Sequence, residues 1–466
     1  MFNINRTNKL FFVLGTGLSG IISILTLPIL TWFYAVDIIG IYSIFTVTFI
    51  LFSTLFSLAL EQAVIREYYE TENKTALISG AFCSGILAAI ILSLSFAVFY
   101  QYISEFVFET HNGYGFILII LSALVYHWYR YQSLLLRMEG ESFYFFILQI
   151  SQKIFFLVIT WVVFIFKKKL GWIDIVSIFI FSSILSSLIS VVCMRKLKVT
   201  LYAGIKKSYK KKFKVYINYS LPLLFSCVIV WGMGAVDKYA LKIYSNAYEL
   251  GIYANAFRVA SALVLLQQLI STIWIPTAMK WYTDGEPINK YERVASLVLF
   301  ISAVSFFIIC AASPLLHHLI HPDYWPSIKL IPIILLYPVF YILSEITGVG
   351  LYFNRKTKHT VFISFCTFIF CMLINAVLVK KFQSLGASVA IATSYFIFFF
   401  LRTIFSSIAW KYLLSIKDLF TLFLLVAGGI GIYREVISFT LIICIIITLF
   451  VLYYSLLKAV IKEGIK

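Results

Sequence analysis

Apolar stretches of about twenty residues recur along the whole chain, each long enough to cross the roughly 30 Å hydrocarbon layer of a bilayer as a helix. They lie near residues 10–34, 39–60, 78–102, 116–136, 143–166, 172–193, 217–240, 253–276, 292–313, 328–352, 360–380, 385–408, 415–432 and 436–457. A chain that is 62% hydrophobic and 12% charged cannot bury that much apolar surface in a water-soluble core. Its solvent is lipid, and in lipid only helices or closed barrels satisfy the backbone. The runs are too long for barrel strands, so the expected fold is an all-α integral membrane protein with about 14 spans. Twelve is the alternative, because Asp418 and the cluster Gly428-Gly429-x-Gly431 dilute the thirteenth stretch.

Met1 to Leu10 reads as a short polar cap carrying Arg6 and Lys9, followed at once by a span, so the first helix serves as its own insertion signal. The seven cysteines (Cys83, Cys193, Cys227, Cys310, Cys366, Cys371, Cys444) fall in or beside apolar runs without CxxC spacing and read as packing residues. His317, His318 and His321 lack Cys or acidic ligands in a fixed pattern, and no metal site is expected. No cofactor is expected either. There is no phosphate-binding lysine loop, GxSxG, HExxH or DxD signature, and no polar segment large enough for a catalytic domain, so an enzyme is not expected.

The formal charge of +18 is dispersed among the apolar runs, which speaks for topology and against nucleic acid. Counted loop by loop, Lys and Arg favour the side of the N-terminus about threefold, placing both termini in the cytoplasm. This count leaves Lys153 and Arg258 inside spans. The run Lys167-Lys168-Lys169 goes against the trend, so the fifth and sixth stretches are where the topology is weakest.

Between the sixth and seventh stretches, Arg195 to Lys214 holds nine basic residues and no acid. A stop signal attracted to anionic cytoplasmic lipid explains it better than a role in docking a partner. It divides the chain into an N-terminal six-helix lobe (1–198), a basic cytoplasmic linker (199–214), a C-terminal six-helix lobe (215–411) and a pair of added helices with a cytoplasmic tail (412–466). The lobes echo one another: Gly40-Ile41-Tyr42 after Asp37 matches Gly251-Ile252-Tyr253 after Glu249. Parallel repeats of this kind imply lobes related by a pseudo-twofold along the membrane normal, with a central cavity between them.

A charged residue near mid-bilayer costs about 2.5–3.5 kcal/mol unless it faces water or a partner. Lys153 and Arg258 are therefore expected to make a cationic cavity suited to phosphate or diphosphate, the competing expectation being that each snorkels to its nearer interface. Arg66, a third candidate for the cationic substrate cavity, lies with Glu61 and Gln62 at the end of the second stretch, Asp237 and Lys238 at the end of the seventh, and Glu345 within the tenth. Glu345 is a candidate coupling group for protons, and Glu61 and Asp237 are candidate polar cavity groups; ordinary interhelical contacts compete with all three roles. Pro28, Pro222, Pro276 and Pro338 mark kinks that membrane helices tolerate.

Four local patterns in the same order resemble Wzx-type polysaccharide flippases of the multidrug/oligosaccharidyl-lipid/polysaccharide (MOP) superfamily. They are Leu60-Glu61-Gln62-Ala63-Val64-Ile65-Arg66-Glu67-Tyr68-Tyr69, Leu136-Arg137-Met138-Glu139, Asp237-Lys238-x-x-Leu241 leading into Glu249-Leu250-Gly251-Ile252-Tyr253-Ala254-x-Ala256, and Asn375 followed by Leu385-Gly386-Ala387 and Ala390. The resemblance implies a MATE-like two-lobed bundle that carries an undecaprenyl-pyrophosphate-linked oligosaccharide repeat unit of O-antigen, lipopolysaccharide or another surface polysaccharide. The cargo would move from the cytoplasmic to the outer leaflet of a bacterial plasma (inner) membrane by alternating access. It also implies that Asn375 joins the polar cavity or coupling groups, that the coupling ion is H+ or Na+, and that the partners are the lipid-linked glycan, membrane lipid and other polysaccharide assembly proteins.

Two other functions are weighed. A cation-coupled multidrug exporter of the same superfamily should hold cationic drugs on cavity carboxylates, and the first half has almost none at mid-span. A membrane-embedded polysaccharide polymerase or acyltransferase should carry a sizeable catalytic outer loop, and the outer loops here are short.

Overall fold

The computed structural model describes residues 6–167, 169–195, 197, 199–354 and 357–464, so Lys168, Lys196 and Lys198 of the basic runs lie outside the described residues, as does the N-terminal cap before Arg6. Every regular element among the described residues is helical. Among the described residues ten helices are long and apolar enough to cross a membrane, which makes this a multi-pass membrane protein. Each stretch expected from the sequence falls on a helix, although α6 below is polar along its second half (His127, Arg130, Gln132) and the last stretch is shorter.

Contacts divide the chain into two units, Met1–Ala235 and Val236–Lys466. The first contains α1 (Arg6–Phe33), α2 (Val36–Ser57), α3 (Leu60–Glu67), α4 (Lys74–Ala97), α5 (Tyr100–Phe108), α6 (Tyr114–Met138), α7 (Ser142–Phe166), α8 (Trp172–Met194) and α9 (Lys207–Met233). The helix after the basic segment thus packs with the first unit, against α2, α3 and α4, and the division falls after α9, away from the expected linker. Within 199–214, Val199 and Leu201 are buried among α3, α4, α6 and α9 side chains.

The second stretch does not run through to residue 60. Leu58 and Ala59 both take left-handed backbone angles (φ 48° and 52°), which end α2 and start α3 in a new direction. Two consecutive non-glycine residues there cost about 1–2 kcal/mol each. Strain of this size is kept only where the surroundings fix it.

The second unit contains α10 (Val236–Tyr244), α11 (Ala247–Thr283), α12 (Ile288–Ala312), α13 (Leu316–Leu319), α14 (Pro326–Ile334), α15 (Leu336–Thr347), α16 (Val349–Phe353), α17 (Thr357–Ala409), α18 (Ile416–Tyr433), α19 (Phe439–Leu452) and α20 (Tyr454–Gly464). Its centre is α14–α15: within Pro322–Thr347, 94% of the most apolar window is buried, and α11, α12 and α17 pack around it. The helix α17 is two helices in line, broken at Gln383 (φ 49°, ψ −126°). Gly386 follows because a Cβ there would come within 2.2 Å of the Leu378 carbonyl oxygen. Within its own unit, each Gly-Ile-Tyr triplet stands one turn into its helix, behind a first-turn acid, at the head of α2 and of α11.

Asp418 does not weaken α18. Buried completely, it caps that helix by accepting from the Ser415 amide and hydroxyl (2.8 Å each), and it also accepts from Ser296 (2.9 Å) and Tyr453 (2.7 Å). One saturated carboxylate thereby fastens the last helices to α12.

Candidate functional site

In the first unit the break at Leu58–Ala59 sets the direction of α3 and with it the Glu61 side chain. Buried Glu61 accepts a hydrogen bond from the Arg130 guanidinium of α6. Loop counting passes over Arg130 although it lies inside the fourth expected stretch (116–136), and the structure places it half-buried within α6. Arg66 is exposed on the same short helix. Its guanidinium lies 4.5 Å from the Tyr219 ring centroid, with Glu67 3.7 Å away. Lys153 is half-buried on α7, a helix only 17% buried in its most apolar window that packs on α1 and α8.

In the second unit, buried Asp237 at the start of α10 accepts from the Tyr253 hydroxyl of α11. Its other carboxylate oxygen, Oδ1, has no hydrogen-bond partner among the described residues. Asn375 on α17 is fully buried and spends its amide hydrogens on Cys371 (2.9 Å to O, 3.4 Å to Sγ), and its Oδ1 likewise has no hydrogen-bond partner among the described residues. Asp237 and Cys371 are close enough for the carboxylate to act on the thiol electrostatically, so the two bare oxygens belong to one neighbourhood of α10, α11 and α17. An acceptor left bare in a low-dielectric interior costs about 1–3 kcal/mol, which a cation or a proton would remove.

Glu345 on α15 accepts from Arg402 of α17, a second cation that loop counting missed. Arg402 also donates to the Tyr352 hydroxyl at 3.1 Å. A Cβ at Gly348 would come within 2.8 Å of Arg402 Nε, so glycine gives the guanidinium its passage. Between Asp237 and this pair runs a file of rings in which Tyr337 and Tyr395 are 4.7 Å apart and Tyr341 and Tyr395 5.4 Å. Arg258 sits half-buried on α11, one residue after Phe257, whose ring carries the Lys238 ammonium at 4.7 Å and stacks on Tyr337 at 5.5 Å.

The structure therefore joins Glu61 to Arg130, Glu345 to Arg402 and Asp237 to Tyr253, and brings Asn375 near the last pair. Lys153 and Arg66 belong to one unit and Arg258 to the other. His317 lies edge-on to Trp325 at 5.0 Å and lines a mostly apolar cavity of about 600 Å³ with Lys329 and Glu435, a lining that includes none of these residues.

The fold is similar to that of the lipid II flippase MurJ in an inward closed conformation, with a TM-score of 0.72 and 16% identity over 98% of this chain and 100% of that one. It is also similar to a multidrug resistance MATE family transporter of the MOP superfamily in its inward-facing conformation, with a TM-score of 0.62 and 11% identity over 86% and 94% of the two chains. No curated protein matches the sequence. At these identities the likenesses show a shared fold. Residues 6–281 match the family described as polysaccharide biosynthesis protein, and that match, over more than half of the sequence, makes the chain a member of that family.

Proposed function

We propose that this protein is a flippase for polyprenyl-diphosphate-linked oligosaccharide, moving repeat units of a surface polysaccharide from the cytoplasmic to the outer leaflet of a bacterial plasma membrane by alternating access. The observation that carries the reading is end-to-end likeness to a lipid II flippase in a chain of the polysaccharide biosynthesis family. Within it, Arg258 and Lys153 are half-buried cations in apolar helices, suited to the diphosphate, and Arg66 presents its guanidinium face on Tyr219. Asp237 and Asn375, each with a bare buried oxygen, are the groups we assign to a coupling H+ or Na+. Both termini are placed in the cytoplasm by the Lys and Arg distribution.

The likeness to a multidrug transporter favours a second reading, export of cationic drugs. Such cargo needs several available carboxylates, and Glu61 and Glu345 are each held by an arginine, which leaves only Asp237 of these three with a bare oxygen. The flippase reading is preferred for that reason.

Reconstituted protein should flip a fluorescent polyprenyl-diphosphate oligosaccharide, with Arg258→Ala slowing the rate at least tenfold at equal protein, the loss of about one charge-assisted contact. Flipping by the wild type that is indifferent to Arg258→Ala and Lys153→Ala would keep the function and discard the cationic site. Drug efflux without glycan flipping would establish the exporter.

A further inference from the structure

We propose that the first turns of α9 form a docking surface for anionic phospholipid headgroups. From Arg195 to Lys214 the chain has no acidic residue, and Lys206, Lys207, Lys210, Lys211, Lys212 and Lys214 are all exposed. Among the described residues no ion pair engages any of the six. Glu67, close enough to Tyr216 of α9 to act on it electrostatically, lies 3.7 Å from Arg66.

This is a built surface. Leu201 is buried, Ser79 Oγ donates to the Gly204 carbonyl at 2.9 Å, and Trp128 Nε1 donates to the Tyr202 hydroxyl at 3.0 Å. Tyr209 and Tyr216, two turns apart on one face of α9, are buried against the unit. The Tyr209 ring occupies the space over Gly80, where a Cβ would lie 2.3 Å from it. With that face clamped, α9 cannot roll, and its lysines point away from the protein.

Lipid is the occupant that fits. Phe213 and Val215 are exposed among the lysines (37% and 62%), and the same helix continues into an apolar span. At 1.5 Å per residue, Lys207 to Lys214 covers roughly 10 Å of helix, comparable with the polar layer at one face of a bilayer. Exposed apolar groups between lysines at that depth match headgroups above and acyl chains below. Each lysine near an anionic surface contributes about fivefold to affinity. Because α9 also carries Tyr219 beneath Arg66, and its Trp231 Nε1 donates to the Val47 carbonyl of α2 (3.0 Å), headgroups held there bear on the helices that position Glu61.

The test uses full-length protein in nanodiscs containing a trace of photoactivatable phosphatidylglycerol or phosphatidylcholine, with adducts mapped by mass spectrometry. Residues 206–219 should take up the anionic probe at least tenfold more than the zwitterionic one. Replacing the six lysines by glutamine should erase the preference, and replacing them by arginine should retain it. Equal labelling by both probes, labelling indifferent to the glutamine changes, or an unlabelled segment would overturn the proposal. So would capture of a protein in place of lipid when the same segment is crosslinked in cells.

Discussion

Arg402 and Glu345 lie at 2% and 7% exposure, where removing one member of an ion pair leaves a charge without its counterpart. Arg402→Met alone is expected to cost about 3–5 kcal/mol. The double change Arg402→Met with Glu345→Leu should cost clearly less, and thermal unfolding in detergent across the mutant cycle measures the difference. Outside the spans, burial first and the hydrogen bond to Glu139 second push the Tyr68 hydroxyl above its usual pKa. The folded state therefore keeps a proton that the unfolded chain gives up near pH 10. The stabilisation is whole below that pH and is lost as pH rises above it, so Tyr68→Phe should flatten the alkaline decline in stability measured by denaturant unfolding from pH 8 to 11. Residues quoted as local patterns find physical reasons here. Tyr68 and Tyr69 bond Glu139 and the Met138 carbonyl (3.1 Å), joining two patterns far apart in sequence. In the third pattern, Tyr253 holds Asp237. The pairings of Glu61 and Glu345 were not legible, because Arg130 and Arg402 lie inside expected stretches but which helices face one another is set by tertiary packing.

The apolar elements were legible in their order, since apolar length alone marks a span. Their breaks were not. Leu58, Ala59 and Gln383 carry no sign of positive φ, a conformation that sequence announces only when glycine supplies it. The break at Leu58–Ala59 is held by local bonds, the Ala59 amide donating to Ser57 Oγ at 3.3 Å and the Leu58 amide to the Leu55 carbonyl at 3.1 Å. Ala59→Gly should remove the left-handed penalty and raise stability by about 1 kcal/mol. A rise in melting temperature would confirm that strain is stored there, and a fall would mean that the Ala59 methyl group, 1% exposed, contributes more by packing.

For the molecule as a whole, lipid as solvent, the all-helical class and the family were readable from the sequence, whereas the compact units were not. Loop charge marks which side of the membrane a segment occupies, and says nothing of which helices the next span packs against. The attachment of the last helices was equally hidden, because Asp418 reads as a blemish in an apolar run until its four donors are in view. Asp418→Ala would leave those donors unanswered at about 1–3 kcal/mol each. Trypsin should then cut after Lys411 at least tenfold faster, while an unchanged digestion rate would show that apolar packing alone retains α18 and α19.

The contact between Glu249 and Ser384 also bears on how the chain is made. Glu249 in the first turn of α11 accepts from the amide and hydroxyl of Ser384, beside the break in α17, across 135 residues of sequence. At a synthesis rate of about 5–20 residues per second, the acid waits roughly 7–27 s after translation before its partner exists. During that interval the head of α11 is held by local bonds, chiefly Asn246 Oδ1 accepting from the Glu249 amide at 2.9 Å. The break in α17 thus acts as a late latch on a helix that must enter the membrane well before it.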